Sequence, residues 1–310
     1  MICRECFVVS KIYVWLLLLT SLFWGGNFVI SKSLIGHASP MTLTSLRWMI
    51  AIVCLFPIVW RKEKRLLPPK AAIIPIFLMG MTGVVLFNVF QFVALHETTA
   101  TNAGLISTLN AFSIAVFSSV FLKERLNKLQ FLAMLLSLLG VLLVLTKGEI
   151  HSLLSLTFNR GDLWMVGAVC IWGIYSIFSK WATMKASPLI CTLYSGVFGL
   201  IILLPFNAGD FTVTEWNASF TVSLLYTGVV STVLCMLFWN IGVQKLGAGA
   251  SGIFLNFNPV FTSVLAYFLL GEQLTWIQGA GSLLVIGGCL LFSLVKNVSI
   301  EEIKQQESLA

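Results

Sequence analysis

Charge is scarce in this chain. Only 10% of its 310 residues are charged, 58% are hydrophobic, and the mean hydropathy is +0.96. Water-soluble domains carry roughly a quarter charged residues, so that class is excluded. Carboxylates are scarcer still where the chain is most apolar, since no Asp or Glu lies deep in any long hydrophobic stretch. His37, His96 and His151 all fall between the stretches. A proton-driven antiporter needs a titratable group in its pathway, and these absences argue against that coupling. They argue equally against an intramembrane enzyme, for there is no His-Glu-x-x-His, no carboxylate pair within reach and no base for a serine nucleophile. Cysteine adds no framework: Cys54, Cys170, Cys191, Cys235 and Cys289 lie within the apolar stretches at no metal-ligand spacing. Cys3-x-x-Cys6 is a lone pair near the N-terminus. We therefore expect no catalytic residue, no metal site and no cofactor.

What the chain has in abundance is apolar runs of about 20 residues, enough to cross a hydrocarbon core of about 30 Å as helices. The runs predict ten helices, over 13–34, 41–60, 71–95, 102–122, 129–146, 163–182, 187–205, 220–244, 248–270 and 274–295. Segments 14–19 and 131–145 are continuously apolar, without the alternation a β-barrel strand requires. The formal charge of +7 is explained by its distribution. With the N-terminus inside, Arg4, Lys11, Arg61, Lys62, Lys64, Arg65, Lys70, Lys123, Arg125, Lys128, Lys185, Lys245, Lys296 and Lys304 face the cytoplasm, against Lys147 and Arg160 outside. That bias predicts cytoplasmic termini, and it is a topology signal with no nucleic-acid partner implied. Asn217-Ala-Ser219 fits a glycosylation sequon, a weak three-residue pattern.

The chain is also written twice. Trp24-Gly-Gly-Asn-Phe-Val-Ile-Ser-Lys32 aligns with Trp172-Gly-Ile-Tyr-Ser-Ile-Phe-Ser-Lys180, an offset of 180 − 32 = 148 residues. The same offset relates Ala38-Ser39-Pro40 to Ala186-Ser187-Pro188, Pro57 to Pro205, Gly104 to Gly252, Asn110 to Asn258, Leu122-x-Glu124-x-Leu126 to Leu270-x-Glu272-x-Leu274, and Gly140 to Gly288. We read residues 13–147 and 161–296 as five-helix repeats, flanked by cytoplasmic tails 1–12 and 297–310. Because five is odd, the second copy enters the membrane from the opposite side. Inverted repeats of this kind can exchange two conformations and so open a central site to either side.

With the Trp-Gly-x-Asn-Phe-x-x-Ser-Lys segment, the x-Ser-Pro turn, Leu43-x-x-x-Arg47, Asn256-Phe257-Asn258-Pro259-Val260 and the Leu-x-Glu-x-Leu endings, the chain resembles the drug/metabolite transporter superfamily, specifically its EamA-type ten-helix exporters. The resemblance covers essentially the whole chain. It implies an all-α polytopic carrier with a central cavity formed mainly by the first, third, fourth, sixth, eighth and ninth helices. Members of the family move amino acids, other metabolites or drugs, usually outward across a bacterial inner membrane. The first helix lacks the buried Glu on which small multidrug-resistance relatives rely, which favours neutral or zwitterionic solutes over cationic drugs. The partners implied are a small-molecule substrate and the lipid bilayer, with a monomer and a homodimer both open.

Candidate cavity residues follow from polarity at helix centres. Trp24 and Trp172 sit mid-helix rather than in an interfacial belt, and either line the cavity or pack beside Gly25, Gly26 and Gly173. Asn27 and Tyr175 lie one turn further, on the same face. Asn88 and Gln91 form a polar face on the third helix, Asn240 one on the eighth, and Asn110, Asn256 and Asn258 lie on the fourth and ninth. Pro259 should kink the ninth helix near Leu255 and free a carbonyl, giving a ligand acceptor or a hinge. The first repeat has Ala111 there, so a straighter fourth helix is expected. Lys32, Arg47 and Lys180 are the basic residues within the spans, and either contact a substrate carboxylate or anchor the helices. Glu124 and Glu272 should cap the N-terminus of the helix that follows each.

Overall fold

The computed structural model of the chain describes residues 2–31, 34, 36–63, 65–98, 103, 106–124, 126–146, 159–270 and 275–309. Ten helices run through them. We number them α1 (Ile2–Ser31), α2 (Pro40–Lys62), α3 (Lys70–Met79, Gly80–Leu86 and Phe87–Glu97 in succession), α4 (Asn110–Phe121), α5 (Lys128–Thr146), α6 (Arg160–Thr183), α7 (Pro188–Asn207), α8 (Ala218–Leu225, Tyr226–Leu234 and Cys235–Leu246), α9 (Ala248–Gly252, Ile253–Asn256 and Phe257–Leu270) and α10 (Trp276–Leu309). Six of these paths are long and apolar enough to cross a membrane, and Asn110–Phe121 and Trp276–Phe292 are shorter apolar helices. Residues 2–12 and 297–309 continue α1 and α10 as helix rather than forming irregular tails.

The duplicated sequence marks become duplicated helix starts. Ser39 and Ser187 are the N-caps of α2 and α7: each Oγ accepts from the backbone N–H three residues on, at 3.3 Å, and Pro40 and Pro188 open the helix where a missing N–H costs nothing. At α5, Asn127 and Gln130 bond reciprocally, and Thr275 and Gln278 do the same at α10. The pairs are 148 residues apart. Asn217, the residue of the sequon, is the N-cap of α8.

Glu124 departs from expectation. Its Oε2 accepts from the Gly249 N–H at 3.1 Å, at the start of α9, a helix of the other repeat. The next helix in sequence already has its cap in Asn127, so the carboxylate is left for a helix end that the fold brings to it. Gly247 makes the approach possible, since its φ of +90° suits glycine and a Cβ there would lie 2.8 Å from the carboxylate. Glu272 and Lys32 lie outside the described residues.

Each repeat packs mainly on the other. α1 lies against α8 and α9, and its counterpart α6 lies against α3 and α4, while α2 pairs with α7 and α5 with α10. The last two pairs join equivalent helices, so a pseudo-two-fold axis runs between them. The approach of α5 to α10 depends on glycine: a Cβ on Gly140 would lie 2.5 Å from the Gly281 carbonyl, and one on Gly288 would lie 2.6 Å from the Ala133 carbonyl. Outward surfaces of the bundle are apolar, with Trp15, Val53, Trp60, Phe206 and Leu283 all exposed. In water this would be costly, whereas hydrocarbon is the natural solvent for such a surface.

Three local departures from α geometry position the centre of the molecule. π-helical turns interrupt α3 at Gly80–Leu86 and α8 at Tyr226–Leu234, equivalent places in the two repeats. A 3₁₀ stretch, Ile253–Asn256, interrupts α9 just before the helix that contains Pro259. The proline therefore sits in the first turn of the resumed helix, where no intrahelical bond needs its N–H. At this break the Phe254 carbonyl accepts from Ser21 Oγ of α1 at 2.7 Å as well as from the Phe257 N–H, so a neighbouring helix bonds to the irregular backbone. The expected straighter fourth helix is not found. Thr108 and Leu109 form a turn closed by Leu109 N–H to the Ile106 carbonyl, and α4 begins at Asn110. The break thus occurs in both repeats, with and without proline.

Candidate functional site

A cavity lies between the repeats. Its described wall is Trp24 and Asn27 of α1, Arg47 and Trp48 of α2, Gly83, Phe87, Asn88 and Gln91 of α3, Ser107 and Asn110 around the start of α4, Met165 and Trp172 of α6, Ser231 and Met236 of α8, and Leu255 and Asn258 of α9. These positions run from the helix centres toward one side, the side bearing the C-terminal ends of α1 and α3 and the N-terminal ends of α2, α4 and α6.

Of the residues expected to line the site, Trp24, Asn27, Asn88, Gln91, Asn110, Trp172 and Asn258 are on this wall, as is Arg47. Tyr175, Asn240 and Asn256 are not. Tyr175 Oη donates to Asn240 Oδ1 at 2.9 Å, Ser179 Oγ donates to the same oxygen at 2.8 Å, and Asn240 Nδ2 donates to Thr192 Oγ1 at 2.9 Å. This network joins α6, α7 and α8 below the cavity. Asn256 Nδ2 donates to Ser137 Oγ of α5. Lys180 is tied at a helix end, its Nζ donating to the Gln244 carbonyl at 2.8 Å while Gln244 Nε2 donates to the Thr183 carbonyl. That makes Lys180 an anchor between α6 and α8.

Aromatic rings separate cavity from network. The two repeat-related tryptophans meet: Trp24 and Trp172 lie edge to face with centroids 5.4 Å apart, and Trp239 touches both, at 5.9 and 5.7 Å. Phe87 and Tyr175 lie on the other sides of Trp172, at 4.8 and 4.9 Å. Pairs of this kind contribute about 0.5–1.5 kcal/mol each beyond burial. Trp24 also donates from Nε1 to the Ser231 carbonyl at 3.0 Å, so lining and packing are both true of it.

The polar wall is built from the irregular turns. The wide turn of α3 leaves carbonyls that Asn88 collects, its Nδ2 donating to Gly83 and Val84 at 3.0 and 2.8 Å. The Asn88 Oδ1 is thereby turned outward, where Arg47 Nη1 donates to it at 3.4 Å. In α8 the wide turn lets Thr232 Oγ1 donate to the Thr227 carbonyl and accept from Arg47 Nε at 3.0 Å. Arg47 is thus held by one π turn from each repeat. Against this, several buried polar atoms on the wall have no protein partner: the side-chain oxygens of Asn27, Asn110, Asn258 and Ser231, and the indole N–H groups of Trp48 and Trp172. Buried polar groups are ordinarily paired, and each left unpaired costs about 1–3 kcal/mol. A solute that satisfies them recovers that cost.

Sequence reasoning passed over Trp48, Trp239 and Ser231. Each carried a signal, as Trp48 follows Arg47, Trp239 precedes Asn240, and Ser231 occupies the place of Gly83 in the second repeat.

Residues 11–146 and 159–294 each match the EamA-like transporter family. The chain belongs to this family. It is therefore a multi-pass membrane transporter, built as two inverted copies of one EamA unit. It is 29% identical over 309 residues to "Uncharacterized transporter YyaM" of Bacillus subtilis (strain 168), covering 96% of this chain and 99% of that one. An "Uncharacterized transporter" of Archaeoglobus fulgidus is 27% identical, over 89% and 95% of the two chains. The "S-adenosylmethionine/S-adenosylhomocysteine transporter" of Chlamydia trachomatis serovar L2 is 26% identical, over 84% and 82%. A solved crystal structure with 19% identity superposes with a TM-score of 0.76, covering 92% of this chain and 98% of its own, which bears on the fold alone.

Proposed function

We propose that the chain exports small neutral or zwitterionic organic solutes, amino acids or compounds bearing an amino-acid group, across a bacterial cell membrane by alternating access, with no catalytic step. The observation that carries the reading is the set of unpartnered amide oxygens of Asn27, Asn110 and Asn258 around one central cavity between the repeats. Amide oxygens suit an ammonium or amide donor. The Chlamydia relative's named substrates contain an amino-acid group, which supports a zwitterionic class. Alternation is supported by asymmetry: the cavity occupies one half of the bundle, and the Tyr175–Asn240 network with the Lys180–Gln244 tie closes the other. The lysine and arginine distribution supports a cytoplasmic closed half and internal termini.

The test is a comparison of metabolites released by overexpressing and deletion cells, followed by counterflow of the released solute in proteoliposomes. Saturable counterflow supports a carrier; conductance without saturation points to a channel. Asn258→Ala and Trp24→Ala should reduce flux at least about tenfold while the protein still inserts, equivalent to about 1.4 kcal/mol of lost interaction. Wild-type flux in both variants would reject this cavity map.

A further inference from the structure

Arg47 is the charged residue of the cavity wall, and no carboxylate lies on that wall among the described residues. Its pseudo-symmetric counterpart is Ser195, whose Oγ donates to the carbonyl of Thr192 within its own helix. Among the described residues, the wall therefore has its cation on one side only. A guanidinium has five N–H donors; Nε and one N–H of Nη1 reach Thr232 and Asn88, both neutral. The fork is oriented by two helices of opposite repeats but not neutralised by them.

The unpartnered amide oxygens of Asn27, Asn110 and Asn258 lie on α1, α4 and α9, so the wall takes these acceptors and its guanidinium from different helices.

We propose that Arg47 forms a carboxylate-binding subsite, so that a solute is accepted only if it carries a free carboxylate. An anionic acceptor is what a fixed, unneutralised guanidinium in a low-dielectric cavity favours most. The amide oxygens then receive the N–H or O–H donors at the other end of the solute. This assignment rests on the transport reading given above and narrows it: neutral amides and amines of the same size are excluded.

The experiment is a thermal-shift titration of the purified full chain in detergent with L-amino acids, each paired with its carboxamide, since a ligand that binds the folded state raises the melting temperature. The expected result is stabilisation by one or more acids at concentrations at least about tenfold below their amides, the discrimination a charge-assisted pair provides. Arg47→Gln should abolish that preference, and Arg47→Lys, which keeps the charge but loses the fork, should retain part of it. Should Arg47→Gln not fold, Arg47→Lys carries the test, and its preference for acids should fall several-fold. Amides binding as well as acids, an unchanged preference in Arg47→Gln or in Arg47→Lys, or no response to any acid would each overturn the subsite. If the acids fail while metabolite release persists, the subsite is wrong and the transport reading stands; loss of both removes the two together.

Discussion

The two repeats share their scaffold and differ in their chemistry. Helix starts and the central tryptophans are duplicated 148 residues apart, and the wide turns of α3 and α8 and the breaks at the fourth and ninth helices recur at nearly the same offset. Apart from Asn110 and Asn258, the polar equipment is not duplicated. Where the second repeat has Tyr175 and Asn240, the first has Asn27 and Phe92; where the first has Arg47, the second has Ser195. One set closes a hydrogen-bonded seal at one end of the bundle, and the other leaves an open polar wall toward the opposite end. Duplication supplies a frame able to adopt two mirrored arrangements, and the substitutions decide which arrangement is held and what it can bind.

The comparison can be broken where the copies agree. Gly140→Leu or Gly288→Leu places a side chain into a backbone carbonyl of the facing helix, and each should cost about 3 kcal/mol or more through overpacking. Loss of the monodisperse peak in size-exclusion chromatography is expected for both, because the two glycines serve the same interface.

Where the copies disagree, the effect should be one-sided. Asn240→Leu strands the Tyr175 and Ser179 hydroxyls and the Thr192 oxygen, at about 1–3 kcal/mol for each group that finds no substitute. It should open the seal, raising labelling of a Ser176→Cys reporter by a membrane-impermeant maleimide from the side of the Lys180–Gln244 tie. Phe92→Asn, the reciprocal change in the first repeat, should leave that labelling unaltered. Equal labelling in both would show that the network does not set the asymmetry.

Smaller effects sharpen the picture. Thr232→Val removes the acceptor for Arg47 Nε and should cost about 0.5–1.5 kcal/mol, read as a lowered melting temperature in the absence of solute. Glu124→Gln keeps a hydrogen bond to Gly249 but loses the charge at the start of α9, worth about 0.3–1 kcal/mol. Its melting shift should be the least of the series.

Legibility followed locality. The Ser-Pro caps, the helix count and the duplication are written in short segments, since capping and hydrophobic length depend on neighbours along the chain. Asn88 and Asn240 look alike in sequence, each a polar residue midway along an apolar run. Asn88 nevertheless faces the cavity while Asn240 is consumed by Tyr175, Ser179 and Thr192, partners 48 to 65 residues away. The same holds for the basic residues: Lys180 is bound at a helix end and Arg47 is presented to the wall, a difference no local pattern carries. The wide turns also escaped the sequence, because an extra residue in a helical turn leaves the apolar run intact.

By itself, then, the sequence determined a membrane-embedded, ten-helix, twice-written chain, because transfer of apolar side chains into lipid and the repeat of a folding unit are properties of composition and order. Tertiary structure decided which asparagines are satisfied within the protein and which are left to a solute, where the Arg47 guanidinium points, and that Glu124 caps a helix of the other half. Those outcomes depend on which helix each side chain meets, and in an inverted repeat that neighbour comes from the opposite copy.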